Sequence, residues 1–329
     1  MIVLGIESTA HTFGAAVFDS EKNEMLSNHR DMYTTEEGGM IPFDLTEHHL
    51  KVCDEVVKKA LETANVTIKN IDLIAYSSSP GLGHALKVGL IMAKSLALIN
   101  DISLVAVNHC VAHLEIASLV TKANDPVLLY CSGANTQVIA YEGKKYRVFG
   151  ETLDTGVGNF LDTFGRNLGL GFPGGPKIEQ LALKGKKLID LPYSVKGMDV
   201  AFSGLETNLK RKIKNKEESK EDLCFSVQET VFAMLLEVAE RAMAHCNKKE
   251  LVLGGGVACN KRLQEMANKM CETRGAKCFV PENQYLVDNA GMIAYTGYLM
   301  FKKGGVSVKA EEASVNPYER IESIDVTWR

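Results

Sequence analysis

His109 and His113 stand four residues apart in Asn108-His109-Cys110-Val111-Ala112-His113-Leu114-Glu115, directly after a short apolar run that reads as a strand. On a helix this spacing puts both imidazoles on one face, close enough to grip a single metal ion. Two ligands do not complete a site, and read alone the pair serves equally well as one packed and one solvated ring. Asp288 follows Pro281-Glu282-Asn283-Gln284-Tyr285-Leu286-Val287 and opens a predicted helix over 288–301. A carboxylate there can cap the helix or face a cleft. A zinc protease needs His-Glu-x-x-His, with the Glu as general base. Here Cys110 occupies that position, and Glu115 points by helical angle away from the face the histidines share. Proteolysis therefore ranks below the alternatives.

Glycine-rich segments are the second chemical feature. Leu153-Asp154-Thr155-Gly156-Val157-Gly158-Asn159 precedes Asp162, and Gly169-Leu170-Gly171-Phe172-Pro173-Gly174-Gly175-Pro176 follows, with Glu179 shortly after. Such loops bring backbone N–H groups close to an anion, and they equally serve tight turns. No Walker-type phosphate loop occurs, and Gly81-Leu82-Gly83-His84 lacks the third glycine of a dinucleotide fingerprint. Gly254-Gly255-Gly256-Val257-Ala258-Cys259-Asn260 lies between an apolar strand and a helix from Lys261 onward. It has room for a flat group against the backbone and an anion at the helix start, or it is a plain strand-to-helix turn. No Gly-x-Ser-x-Gly elbow is present, and the basic run 210–216 is followed by Glu217, Glu218, Glu221 and Asp222, the pattern of a solvated helix face.

These residues must be held by elements that the apolar pattern makes visible. Strand, turn and strand at 2–19 return at 127–142, which suggests a duplicated fold. Between the copies come a helix over 48–64, a strand over 73–76 and a helix over 89–100, an α/β alternation. A long helix is predicted over 223–246, and the end of the chain, 324–328, reads as strand-like. The polar turn Asn124-Asp125-Pro126 marks the junction, so the expected division is a lobe over 1–124, a second over 125–302 whose last helix can pack back on the first, and a tail over 303–329. The glycine turns and the duplication together point to a two-lobed α/β fold of the actin, heat-shock-protein and sugar-kinase (ASKHA) type, in which paired hairpin turns face a nucleotide's phosphates.

The 329 residues include 37 Lys and Arg against 41 Asp and Glu, a net charge of -4 with no global basic field for nucleic acid. The eight cysteines form no Cys-x-x-Cys pair, as expected of reduced thiols. No secretory signal and no uncharged apolar run of about 18 residues occur, so no membrane association and a cytoplasmic location are expected.

Taken together, the blocks at 5–12, 107–115, 132–136, 156–176, 201–205, 254–260 and 287–290, with Val326-Thr327-Trp328 at the end, resemble the universal tRNA threonylcarbamoyladenosine transferase family, whose archaeal and eukaryotic members are the catalytic subunit of the KEOPS complex. The resemblance implies that His109, His113, Tyr130 and Asp288 hold one divalent metal ion. It implies that Tyr130, Cys131, Ser132, Gly133, Ala134, Asp162, Gly175, Glu179, Gly255, Gly256 and Asn260 bind an adenine nucleotide or threonylcarbamoyl-adenylate. No catalytic residue separates from these two shells. The donor set suits iron or zinc. The implied reaction moves threonylcarbamoyl from its adenylate to N6 of the adenosine beside the tRNA anticodon, releasing AMP. The implied partners are tRNA, a kinase-like ATPase subunit and small accessory subunits, and the chain could be complete or the first part of a fusion with such an ATPase. The family pattern Ser-Gly-Gly-Asn-Thr has Ala134 in place of its second glycine here, a change tolerated unless the position needs positive φ. An ATP-binding regulatory or chaperone-like module of the same fold, or a small-molecule kinase, is the alternative from a different class.

Overall fold

The structure is a computed structural model that describes residues 1–35 and 41–329. The chain opens with an antiparallel meander of β1 (Ile2–Glu7), β2 (Thr12–Asp19) and β3 (Glu24–Met32), followed by α1 (Pro42–Thr63), β4 (Leu73–Ser79), α2 (Gly83–Asn100), β5 (Ser103–Asn108) and α3 (His109–Val120). A second meander, β6 (Val127–Cys131), β7 (Thr136–Glu142) and β8 (Lys145–Glu151), leads to α4 (Val157–Asn167), α5 (Gly174–Ala182) and a small hairpin of β9 (Val195–Lys196) and β10 (Asp199–Val200). Then come α6 (Ser203–Asn215), α7 (Lys220–His245), β11 (Glu250–Gly254), α8 (Lys261–Thr273), β12 (Lys277–Phe279), α9 (Asn283–Leu286) and α10 (Ala290–Lys302).

Among the described residues there are two five-stranded sheets with the same internal order, β3-β2-β1-β4-β5 and β8-β7-β6-β11-β12. In each, the first strand of the meander pairs in parallel with a strand reached later in the chain, β1 with β4 and β6 with β11. The duplication seen as two strand–turn–strand units therefore extends to whole sheets, and the fold is the two-lobed α/β class expected.

Among the described residues, three apolar cores follow from this layering. One lies on the outer face of the first sheet beneath α1 and α2, and another on the outer face of the second sheet beneath α4, α7 and α8. The third lies between the sheets and joins Val3, Val105 and Val107 to Leu128, Tyr130 and Val252 through α3 and α10. From His109 to Ala117 every residue of α3 is buried, the condition of a helix enclosed on all sides. Helix α10 packs across β1, β2 and β4 as well as α3.

Several boundaries differ from the sequence reading. Helix α1 starts at Pro42 instead of 48 and α2 at Gly83 instead of 89. Their first turns carry proline, glycine and exposed apolar residues, which mask the helical period, although Pro at the start is favourable because its missing N–H has no partner there. Strand β4 continues to Ser79. Asp288 does not open the last helix: Asn289 caps it, accepting from Met292 N at 3.0 Å, and this leaves the Asp288 carboxylate for the cleft. The segment 324–328 is not a strand, yet Ile324, Val326 and Trp328 pack on the core between the sheets.

Candidate functional site

The histidine pair owes its position to a cap. The Asn108 side chain at the end of β5 accepts from Cys110 N at 3.0 Å and Val111 N at 3.2 Å, so the helix begins at His109 and His113 falls one turn later on the same face. The two ring centroids are 4.8 Å apart. Strand β6 of the other lobe brings Tyr130, whose hydroxyl lies 3.0 Å from His109 Nε2. Asp288 Oδ1 lies 3.3 Å from His109 Nε2 and 3.5 Å from His113 Nε2. One ligand atom each of His109, His113 and Asp288 lies within 4.8 Å of the others.

Behind the pair, Glu7 Oε2 lies 3.0 Å from His109 Nδ1, and Thr9 donates to Glu7 Oε1 through its backbone N–H at 2.6 Å. Neither residue was singled out from sequence. Both lie in the block at 5–12, but their role depends on a histidine about a hundred positions away, and local pattern does not report that.

His113 is buried and neither of its ring nitrogens has a hydrogen-bond partner. A buried imidazole with no hydrogen bond of its own, beside a second imidazole, a carboxylate at 3.5 Å and a phenol, is costly unless something else occupies the space. The donor set and the orphaned nitrogen fit a divalent ion of borderline character, with the Glu7 contact orienting one ligand as a carboxylate behind a metal-bound histidine does. Burial alone would lower the pKa of His109, but the Tyr130, Glu7 and Asp288 oxygens outweigh it and raise it. Burial lowers that of His113. Burial would raise the Asp288 carboxyl, yet His109 holds it well below the ordinary range.

The glycine loops gather at the ends of β6 and β11, which are neighbours because Gly254 pairs with Tyr130. Gly255 has φ +89°, and a Cβ there would sit 2.3 Å from Cys131 O, so only glycine lets the two strand ends touch. The 131–134 turn closes on itself through Ser132 N to Asn135 O at 2.9 Å, and α4 starts against it through Gly158 N to Ser132 O at 3.0 Å. Tyr130 to Ala134, Gly255 and Gly256 thus lie together at the carboxyl ends of the parallel strands β6 and β11, where α/β folds bind ligands, and Tyr130 packs on His113. Ala134 does not have positive φ, so its methyl group causes no backbone strain.

The remaining positions also have structural partners. Asp162 Oδ1 accepts from Gly174 N at 2.7 Å, and Glu179 Oε1 from Lys261 N at 2.7 Å. Asn260 caps α8 with its Oδ1 and donates through Nδ2 to Gln228 at 2.9 Å. No heavy atom approaches within 4 Å of a Cβ placed on Gly175 or Gly256, which leaves their faces open. Burial raises the Asp162 carboxyl.

Two sheets of equal strand order around a shared helical core, with glycine loops at the strand ends, define the actin-like ASKHA class. Solved structures share it: HypF of Thermococcus kodakarensis has a TM-score of 0.61 with 16% identity over 92% of this chain and 48% of that one. Component A of the (R)-2-hydroxyglutaryl-CoA dehydratase of Acidaminococcus fermentans has a TM-score of 0.58 with 17% identity over 93% and 100%. Within that class, the chain belongs to the tRNA N6-adenosine threonylcarbamoyltransferase family (TsaD), whose model matches residues 24–295. A tRNA N6-adenosine threonylcarbamoyltransferase of T. kodakarensis is 53% identical over 328 residues, covering 100% of both chains. A probable bifunctional tRNA threonylcarbamoyladenosine biosynthesis protein of Methanosarcina mazei is 49% identical over 329 residues, covering 99% of this chain and 59% of that protein.

Proposed function

We infer that this chain transfers the threonylcarbamoyl group from threonylcarbamoyl-adenylate to N6 of the adenosine beside the anticodon of tRNA. The observation that carries the site assignment is the buried His113, whose Nδ1 has no hydrogen-bond partner and whose Nε2 faces Asp288 at 3.5 Å, beside His109 and Tyr130. Those four residues hold one divalent ion, iron or zinc, which when bound supplies Lewis acidity to the acyl donor. The 131–134 turn, Gly175, Gly255 and Gly256 seat the adenylate, and Asp162, Glu179 and Asn260 shape the polar wall around it. The amine nitrogen forms a bond to the carbamoyl carbon while that carbon's bond to the phosphate oxygen breaks. AMP leaves, and the amine gives up a proton. Holding the two reactants in line at a cleft walled by both lobes is the chain's own contribution.

We place the lobe boundary at 124, with residues 303–329 as a C-terminal tail that packs on both lobes. Partner subunits are supported by Phe43 and Leu50 on α1 and Ile91, Leu98 and Ile99 on α2, all exposed on the first lobe. A kinase-like ATPase and small accessory subunits of a KEOPS-type assembly are the partners we assign, alongside tRNA. No helix among the described residues is long and apolar enough to cross a membrane, and all eight cysteines are free, which supports a cytoplasmic location.

The test is modified adenosine formed from purified adenylate and unmodified tRNA, with and without partner subunits, together with metal content by elemental analysis. His109→Ala and Asp288→Ala are expected to lose both the metal and the product. Full product formation by metal-free variants would overturn the role assigned to the site.

A further inference from the structure

The residues after α10 do not form a loose tail. They cross the first lobe, where Tyr76 donates to Ser314 O at 2.9 Å and Asn316 N donates to Ser78 O at 2.9 Å. They then reach the second lobe, where Arg320 pairs with Glu151 at 3.3 Å and Asp325 with Lys145 at 3.6 Å. On this path they touch α3 at two places. Glu319 accepts from Ser79 Oγ and lies 3.5 Å from Nδ2 of Asn108, the cap immediately before His109. At the far end Trp328 Nε1 donates to Glu115 at 2.8 Å, and Arg329 donates to both Glu115 oxygens at 3.1 and 3.3 Å.

Glu115 is two residues beyond His113, and at about 100° per residue its side chain leaves α3 on the side away from the histidines. It is 2% exposed and also accepts from Tyr146 of β8. The Arg329 guanidinium lies over the rings of Tyr141 and Tyr146, 5.1 and 5.4 Å from their centroids. A buried ion pair is no efficient source of stability compared with apolar packing, so a fork of donors at this point favours a geometric role. The helical turn from His109 to His113 is thus bracketed by Asn108 on one side and Glu115 on the other, both held by the same segment.

We propose that residues 319–329 are a strap that positions the ligand-bearing turn of α3 against the second lobe, with Glu115 as the positioning residue and Trp328 and Arg329 as its lock. The proposal rests on the reading of His109, His113 and Asp288 as a metal centre. In it, the strap sets where the two imidazoles stand relative to Tyr130 and Asp288, which arrive from other elements.

The experiment uses the full chain with Zn²⁺ alone, titrated in competition with a chromophoric chelator, and the visible spectrum of the Co²⁺-loaded protein. Arg329→Ala and Glu115→Gln are expected to bind Zn²⁺ roughly tenfold more weakly and to change the Co²⁺ bands, within the range typical of groups that orient metal ligands. Arg329→Lys, which keeps the charge without the fork, recovers part of the affinity. If Arg329→Ala does not fold by circular dichroism, Glu115→Gln and Trp328→Phe decide the matter, since both keep the local shape. Variants with a lower melting temperature but unchanged Zn²⁺ affinity and Co²⁺ spectrum would reduce the strap to a structural contact and overturn the proposal. An unmutated chain that takes up neither ion would overturn the metal reading itself.

Discussion

Glu7 and His109 meet across the first lobe, with Glu7 Oε2 3.0 Å from His109 Nδ1, while the opposite nitrogen of the same ring faces Tyr130 and Asp288. With a metal ion bound, the carboxylate would keep the proton on Nδ1 and leave the Nε2 lone pair to the ion. Glu7→Gln keeps the volume and removes the charge. We expect metal affinity to fall about 10- to 100-fold, measured by chelator competition, with little change in far-UV circular dichroism. Undiminished affinity would mean that the ring is oriented by packing alone.

The contact between Gly255 and Cys131 makes a second prediction. A methyl group on Gly255 meets the Cys131 carbonyl on a backbone with positive φ. Gly255→Ala is expected to destabilise the second lobe by about 1–3 kcal/mol in urea unfolding and to weaken adenylate binding. A variant with the stability and affinity of the parent would show that the strand ends part easily.

Ala134 replaces a glycine of the family pattern, yet its backbone is not in the left-handed region. Ala134→Gly should leave KM for the adenylate unchanged and lower stability by about 0.4–1 kcal/mol, through the greater freedom of the unfolded chain. An improved KM would reveal that the methyl group crowds the ligand.

His49 carries a pH dependence away from the metal centre. It is fully buried, its Nδ1 lies 3.3 Å from that of His48, and Phe13 packs edge-on at 5.6 Å. Burial, reinforced by His48 and His11 and opposed by the Ala10 backbone and Asp31, lowers its pKa from 6.5 to about 4. The unfolded chain takes up the proton at the higher value and the folded chain only at the lower, so the unfolded state binds more protons in between. Stability is full above pH 6.5 and declines as pH falls toward 4, by about 3 kcal/mol from this group. His49→Leu should flatten that slope in denaturant titrations at a series of pH values, and an unchanged slope would assign it to other groups.

Much of this architecture is written in short-range signals. Apolar runs at 2–6 and 127–130 with polar turns after them, the glycines at 254–256 and the four-residue histidine spacing are all local, and they mark the duplicated lobes and half of the site. Tyr130 as a ligand is implied only by the family resemblance, and Asp288 by its place at a helix start, since nothing within a few residues of either reports that it faces a histidine. In sequence Asp288 can cap a helix or face a cleft, and Asn289 takes the cap. The partners of Glu7 and Glu115 and the packing of residues 319–329 are hidden from the sequence for the same reason. Their partners lie 102 and 214 residues away in the cases of Glu7 with His109 and Glu115 with Arg329. Secondary structure is set by neighbours along the chain, whereas a buried charge network forms only when the closing of two lobes around α3 removes water from groups that are strangers in sequence.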